Sequence, residues 1–315
     1  MLSNRIKLSI IIQNRQGVTM ANLPYGMHWM LATPFSKNEE IDFESLNKII
    51  EQAKSSCCAG VVGLGVMGEA SKLTDRERDK VAEKIISVAR ELPVTLGTTG
   101  DGTKTVVERS RFAENIGASA VMISAPSMLK PNLTALFDHF YDVAKSINIP
   151  IVMQDYPQTS GVHMPIDFIV KVAKEIPQVR YLKLEDPPTP TKISAIKDQI
   201  KDQIGIFGGL GGVFLLDELR RGSMGAMTGF AYPEILVKIC DLIKIGKIDD
   251  AEEIFYKYLP LIQYEQQDGI GLAIRKAGLM HRGFIKSDVT RSPGPKIAKE
   301  NKKELLKIIK KVGLQ

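Results

Sequence analysis

The chain has 315 residues, 44% of them hydrophobic and 25% charged, which is enough to bury one large core of the size of a single α/β barrel. Its formal net charge of +6 is spread along the sequence. Lysines are concentrated only near the C-terminus, where their spacing is typical of the solvent-exposed face of a helix. No aromatic residues are interleaved with them, so we predict no nucleic-acid partner. No run reaches about 18 uninterrupted apolar residues, so we predict no membrane span.

The cysteines and histidines give no sign of a disulfide framework or a metal centre. Cys57, Cys58 and Cys240 form no CxxC pair, which indicates a reducing compartment, and we predict a cytoplasmic location. The four histidines match no metal-binding pattern, so we predict no metal.

The first 22 residues differ from the rest of the chain. A short apolar run at 8–12 is too short to cross a membrane and is followed by polar residues without a small-residue cleavage site. We expect residues 1–22 to be a flexible extension, with translation starting at Met1 or Met20.

From residue 26 onward, short apolar runs alternate with amphipathic helical segments. Segments 74–91 and 133–145 are predicted helices, with Thr74 and Asn132 in N-cap positions. Eight such units predict a parallel (β/α)₈ TIM barrel over residues 23–230. Residues 231–315 contain more helix than one barrel unit needs, so we predict a helical region packed on the barrel. The eight predicted strands begin at Gly26, Gly60, Pro93, Ala120, Pro150, Val179, Gly205 and Gly225.

The sixth predicted strand carries one lysine among apolar neighbours. Because strands alternate faces, Tyr181, Lys183 and Glu185 share one side. A buried ammonium is costly unless it is paired or deprotonated, and a neutral amine is a nucleophile toward carbonyl carbons. The alternative is a lysine that extends to solvent. The carboxyl end of a barrel strand is where active-site residues lie, and this position favours a catalytic role.

Four motifs occur in an order that resembles the dihydrodipicolinate synthase/N-acetylneuraminate lyase superfamily, over residues 24–314. They are the segments Thr33-Pro34-Phe35, Gly65-Val66-Met67-Gly68-Glu69, Gln154-Asp155-Tyr156-Pro157-Gln158-Thr159-Ser160-Gly161, and Lys183. The resemblance implies that Lys183 forms a Schiff base with the keto group of pyruvate or a longer 2-oxo acid. The imine is then the electron sink, so no separate cofactor is expected. The glycines at 208–212 do not match GxGxxG and predict a tight turn near the bound anion.

The sequence also departs from the family pattern. Val66 and Met67 replace two hydroxyl residues that hold the substrate carboxylate in the family, although the backbone N–H groups from Gly65 to Gly68 are still available. Thr33, Thr98 and Thr99 are candidate replacements, and the alternative is that these threonines form turns. Ser127 stands near the position of the proton-relay tyrosine. Strand five has Gln154-Asp155 in place of a tyrosine-asparagine pair, and no arginine follows it.

Glu185 and Asp155 are the candidate acid–base groups. For Glu185 the alternative is that it only pairs with Lys183 or caps a helix. Together with Lys183 they complete the predicted catalytic set. The predicted substrate-binding residues are Thr33, Gly65, Val66, Met67, Gly68, Ser127, Gln154, Gly208, Gly209 and Thr228.

The resemblance implies a Schiff-base lyase, and we expect it to form a homodimer or a homotetramer. Four segments together resemble the branch of 2-keto-3-deoxy-sugar-acid dehydratases, especially those acting on 2-keto-3-deoxy-L-arabonate. They are Gln154-Asp155 with its following proline, Lys183-Leu184-Glu185, Gly225-Ala226-Met227-Thr228-Gly229 and Leu259-Pro260-Leu261-Ile262. Elimination of water from a 2-keto-3-deoxy-sugar acid is therefore the first expectation. Pyruvate-releasing aldol cleavage and a dihydrodipicolinate synthase-like condensation are alternatives. A non-catalytic 2-oxo-acid sensor is the alternative of another class.

Overall fold

Eight parallel strands close into one barrel in the computed structural model, which describes residues 22–128 and 130–315. β1 pairs with both β2 and β8, which confirms the predicted TIM barrel. The strands are β1 (Gly26–Met30), β2 (Gly60–Gly63), β3 (Val94–Gly97), β4 (Ala120–Ser124), β5 (Ile151–Asp155), β6 (Val179–Leu184), β7 (Gly205–Gly208) and β8 (Gly225–Thr228).

The strands are apolar because both of their faces are covered. Every residue of β4 and of β5 is buried, as expected when helices pack outside a barrel and side chains fill its interior. Trp29 on β1 illustrates the closure, since its buried Nε1 donates a 2.9 Å hydrogen bond to the carbonyl oxygen of Phe230, which follows β8.

Helices follow the strands around the barrel, and both predicted N-caps are confirmed. Thr74 forms a capping box with Glu77, and Asn132 accepts two backbone N–H groups. The helices are α1 (Phe43–Ser55), α2 (Asp75–Ala89), α3 (Thr103–Asn115), α4 (Leu133–Ala144), α5 (Pro157–Ser160), α6 (Ile166–Glu175), α7 (Thr189–Ile200), α8 (Leu215–Arg220), α9 (Pro233–Lys244), α10 (Ile248–Glu265), α11 (Gly271–His281) and α12 (Lys299–Lys311).

The C-terminal helices extend the structure beyond the barrel. The predicted boundary after residue 230 falls between β8 and α9, and α9 packs against β1 as the eighth barrel helix. α10, α11 and α12 pack on one another, and α10 also contacts the turn at 210–212. The additional helices therefore approach the carboxyl ends of the strands.

The predicted extension at 1–22 lies, except for residue 22, outside the described residues. Within the described part of the chain, no helix is long and apolar enough to cross a membrane.

Candidate active site

Lys183 projects from β6 into a cavity of about 250 Å³ at the carboxyl ends of the strands. Its side chain is only 3% exposed, so it does not extend to solvent. The ammonium Nζ lies 2.8 Å from Oε2 of Glu185 and donates to the thioether sulfur of Met30 at 3.0 Å. A soft acceptor and one carboxylate are therefore the partners of this buried cation.

Glu185 is held in place beside Lys183 by two further donors. The side-chain Nε2 of Gln154 donates to Oε2 at 2.7 Å, and the backbone N–H of Leu210 approaches Oε1 at 3.4 Å. Gly209 makes room for this carboxyl group, because a Cβ at that position would collide with the Glu185 side chain. The structure thus brings Lys183, Glu185 and Gln154 together.

Asp155 lies on the opposite face of the same strand pair. The register aligns Gln154 with Lys183 and Asp155 with Leu184, and neighbouring residues of a strand point to opposite faces. Asp155 therefore faces the helical layer, where Nζ of Lys192 lies 2.5 Å from its Oδ2. Burial raises the pKa of this carboxyl group, and the Lys192 ammonium opposes that effect. The structure does not bring Asp155 to the amine of Lys183.

The turn after β2 has two backbone N–H groups that find no acceptor among the described residues. Gly68 N–H donates to Gly65 O at 3.1 Å, and the Thr33 hydroxyl donates to Gly68 O at 2.7 Å, which fixes the turn. Val66 and Met67 line the cavity, and among the described residues no acceptor is found for their N–H groups. Adjacent unpaired N–H groups form a concavity suited to an anion such as a carboxylate.

The remaining predicted binding residues divide among three places. Thr228 lines the cavity of Lys183. Ser127 and Gln154 line an adjoining cavity of about 550 Å³. Gly208 and Gly209 lie against buried carboxylates, since a Cβ at Gly208 would collide with Glu218. These two glycines therefore act by leaving space.

Tyr156 is a site residue that the sequence reasoning missed. It follows β5 directly and lines the cavity with Lys183 and Glu185, and its hydroxyl has no partner among the described residues. Burial raises the pKa of this phenol, and the nearby Glu185 carboxylate adds to the rise. A signal was available, because residues two apart on a strand share a face and Tyr156 follows Gln154 at that interval.

Arg275 on α11 is the second missed residue. Its guanidinium lines the same cavity, with Nε 3.9 Å from Oε2 of Glu265. Burial lowers its pKa, and the carboxylates of Glu265 and Glu185 oppose that effect. No pattern in the sequence indicates that a helix beyond the barrel reaches the strand ends.

Within residues 22–128 and 130–315, no three His, Cys, Asp or Glu side chains cluster in a geometry that could hold a metal ion. The only cations at the cavity of Lys183 among these residues are its own ammonium and the guanidinium of Arg275.

A closed (β/α)₈ barrel with a buried lysine–carboxylate pair at the carboxyl ends of its strands defines a class of TIM-barrel enzymes. Comparison with known proteins gives the family. The sequence model of the dihydrodipicolinate synthetase family matches residues 24–312. The chain belongs to this family and is a lyase.

Individual relatives agree with this assignment. The chain is 30% identical over 292 residues to an L-2-keto-3-deoxyarabonate dehydratase from Azospirillum brasilense, covering 91% of this chain and 94% of that one. It is also 30% identical to a 4-hydroxy-tetrahydrodipicolinate synthase from Methanococcus vannielii, covering 92% and 99%. The crystal structure of dihydrodipicolinate synthase from Rhodopseudomonas palustris superimposes with a TM-score of 0.88 at 32% identity, covering 93% and 100%.

Proposed function

We propose that this lyase forms a Schiff base between Lys183 and a 2-oxo acid and eliminates water from a 2-keto-3-deoxy-sugar acid. The observation that carries the proposal is the position of Glu185, whose Oε2 lies 2.8 Å from the amine and is oriented by Gln154. A carboxylate at that distance from the imine nitrogen is within reach of C3, which is two bonds from that nitrogen. The similarity to a dehydratase acting on L-2-keto-3-deoxyarabonate supports the choice of substrate class.

The first half of the reaction is imine formation. Lys183 first transfers one proton to Glu185, whose Oε2 lies 2.8 Å away. The neutral Nζ then attacks the keto carbon C2, and the former carbonyl oxygen takes the proton back from Glu185 and leaves as water, so that a protonated imine links enzyme and substrate. Val66 and Met67 line the same cavity, and their N–H groups bind the C1 carboxylate. Because that anion is fixed by backbone, the loss of side-chain hydroxyls from this turn is compatible with binding.

The second half is elimination across C3 and C4. Glu185 removes a proton from C3, and the electron pair forms an enamine with the imine nitrogen as the sink. The enamine electrons then return and expel the C4 hydroxyl, which takes a proton and leaves as water. Tyr156 is our candidate for that proton donor, because it lines the cavity with Lys183 and Glu185 and its phenol is protonated at neutral pH.

Borohydride trapping with intact mass spectrometry tests the proposal directly. Wild type, Lys183→Ala and the exposed-lysine control Lys104→Ala are each incubated with pyruvate or a 2-keto-3-deoxy-sugar acid and then reduced. We expect an adduct in wild type and in the control and none in Lys183→Ala, with a dehydrated 2-oxo acid as product. An adduct that carries only the mass of pyruvate from the longer acid would instead establish aldol cleavage. Failure to trap any of these acids would favour a binding protein.

The assembly and location of the protein remain predictions. We expect a homodimer or a homotetramer in the cytoplasm, and light scattering coupled to gel filtration gives the subunit number.

A further inference from the structure

The wall of the cavity facing away from the barrel is built by α10 and α11. Glu265 at the end of α10 and Gln266 after it line the cavity together with Arg275 of α11. An Arg275 N–H donates to Oε1 of Gln266. Oε2 of Glu265 accepts the backbone N–H of Ala231 at 3.0 Å. These contacts leave part of the hydrogen-bonding capacity of the cluster unused.

Both charged groups keep unpaired polar atoms. Nε of Arg275 and Oε1 of Glu265 are buried and have no hydrogen-bond partner among the described residues. The 3.9 Å between Nε of Arg275 and Oε2 of Glu265 is too long for a hydrogen bond. Both residues line the cavity. Buried polar atoms are nearly always hydrogen-bonded, so this unpaired donor and this unpaired acceptor indicate a ligand that supplies both roles. A hydroxyl group does this, since it both accepts and donates.

The charges of the lining argue against a second carboxylate at this end of the ligand. Glu185, Glu265 and, at the rim, Asp268 contribute three carboxyl groups, against the two cations Lys183 and Arg275. Lys183 already lies beside Glu185. Burial raises the pKa of Glu265 to about 7, so above that pH a further carboxylate beside it would meet like charge in a partly desolvated space. A neutral hydroxylated chain meets no such repulsion.

We propose that Glu265 and Arg275 form the subsite for the hydroxyl groups at the far end of the substrate and so determine which 2-oxo acid is accepted. The inference rests on the proposed function, because it takes the keto end of the substrate to be held by Lys183. It assigns the C-terminal helices a role in specificity in addition to packing.

The test compares three acids at the same lysine. Pyruvate has no tail, a 2-keto-3-deoxypentonate has a hydroxylated tail, and 2-oxoglutarate has a carboxylate tail at the same chain length. The acid concentration that gives half-maximal borohydride trapping is measured for wild type, Glu265→Gln and Arg275→Gln. Arg282→Gln is the matched control, because Arg282 also anchors α11, through Glu234, but does not line the cavity.

We expect wild type to trap the pentonate at lower concentration than 2-oxoglutarate. Glu265→Gln and Arg275→Gln should raise the pentonate concentration about tenfold or more, the effect of losing a hydrogen bond to a charged group, and leave pyruvate unchanged. Arg282→Gln should not change the half-maximal concentration of the pentonate relative to that of pyruvate. A purely structural role for the pair would shift pyruvate and the pentonate together or shift neither, and either result overturns the inference.

A preference of wild type for 2-oxoglutarate also overturns it. If wild type traps none of the three acids, the proposed function fails and the inference falls with it. If wild type traps them and the variants discriminate as wild type does, only the inference fails.

Discussion

Lys276 on α11 and Glu69 at the end of the turn after β2 form an ion pair in which both side chains are buried. The second carboxylate oxygen of Glu69 accepts from Lys72 at 3.0 Å and from the backbone N–H of Arg291 at 2.9 Å. One carboxylate thus joins the barrel turn that carries the two free N–H groups to the C-terminal helical region.

Replacing Lys276 by methionine should strongly destabilise the fold. The aliphatic length is kept, but Glu69 loses its fully buried cation, and breaking a buried pair from one side costs about 3–5 kcal/mol. Urea denaturation gives the free energy of unfolding. The control is Asp202→Asn, which removes the pair of Lys197 with a 90% exposed partner and should cost less than about 1 kcal/mol. Equal free energies of unfolding for the two variants would contradict a role of the buried ion pair in holding α11 against the barrel.

Gly209→Ala should impair catalysis more than folding. A Cβ at this position would overlap the Glu185 side chain, so the carboxyl group has to move away from Lys183. A displacement of about 1 Å at a reacting group can reduce turnover about 100-fold, and overpacking costs about 1–3 kcal/mol. Steady-state kcat and thermal unfolding are measured on the same preparation.

The control for that substitution is Gly102→Ala, where the added Cβ meets its nearest neighbour at an ordinary 3.8 Å. It should leave kcat unchanged. Wild-type turnover in Gly209→Ala would mean that the position of Glu185 does not limit the reaction.

Glu218 should make the stability fall as the pH rises from 4.5 toward 7. Burial raises the pKa of this carboxyl group from its ordinary 4.5 to about 7, and the Thr189 hydroxyl only partly opposes this. Between those pH values the native state holds a proton that the unfolded state has released, so the free energy of unfolding decreases with pH. The shift corresponds to about 3 kcal/mol at most.

Glu218→Gln removes this titration and should flatten the decline. Urea denaturation at pH 5 and at pH 8 provides the comparison, and Glu265, which is also buried with a pKa raised to about 7, titrates in both proteins and cancels. Glu83→Gln, at an exposed site on α2, should retain the wild-type slope. A Glu218→Gln slope equal to that of wild type would place the titrating group elsewhere.

The fold was predictable because its signal is local. Eight short apolar runs that alternate with helical segments are typical of strands buried on both faces of a parallel sheet. Strand periodicity alone puts Lys183 and Glu185 on one face. The choice between Gln154 and Asp155 as the neighbour of Lys183 was different, because it depends on the register between β5 and β6. A shift of one residue exchanges the two faces, and periodicity within a single strand contains no information about register.

The rest of the site comes from parts of the chain that follow no barrel rule. Arg275 and Glu265 belong to helices beyond β8, and their approach to the strand ends is determined by tertiary packing. Met30 is an apolar residue of β1 by pattern, and only the closed barrel brings its sulfur to the amine of Lys183. Residues of this kind are found only after the three-dimensional arrangement is known.

Tyr156→Phe should slow turnover and leave imine formation intact. The substitution removes only the hydroxyl, which has no partner among the described residues, so the fold should be unaffected. If the phenol protonates the departing hydroxyl, kcat should fall about 100-fold or more, the usual contribution of a general acid. The pyruvate concentration for half-maximal borohydride trapping should stay at the wild-type value, because trapping needs only Lys183.

Tyr141→Phe, at an exposed position on α4, is the matched control for Tyr156→Phe and should keep wild-type kcat. Burial and the Glu185 carboxylate raise the Tyr156 pKa, so deprotonation of this group should reduce wild-type activity only at a pH above the ordinary tyrosine range. If Tyr156→Phe turns over within twofold of wild type, the proton comes from another donor, and Glu185 itself, once protonated by C3, is the next group to test.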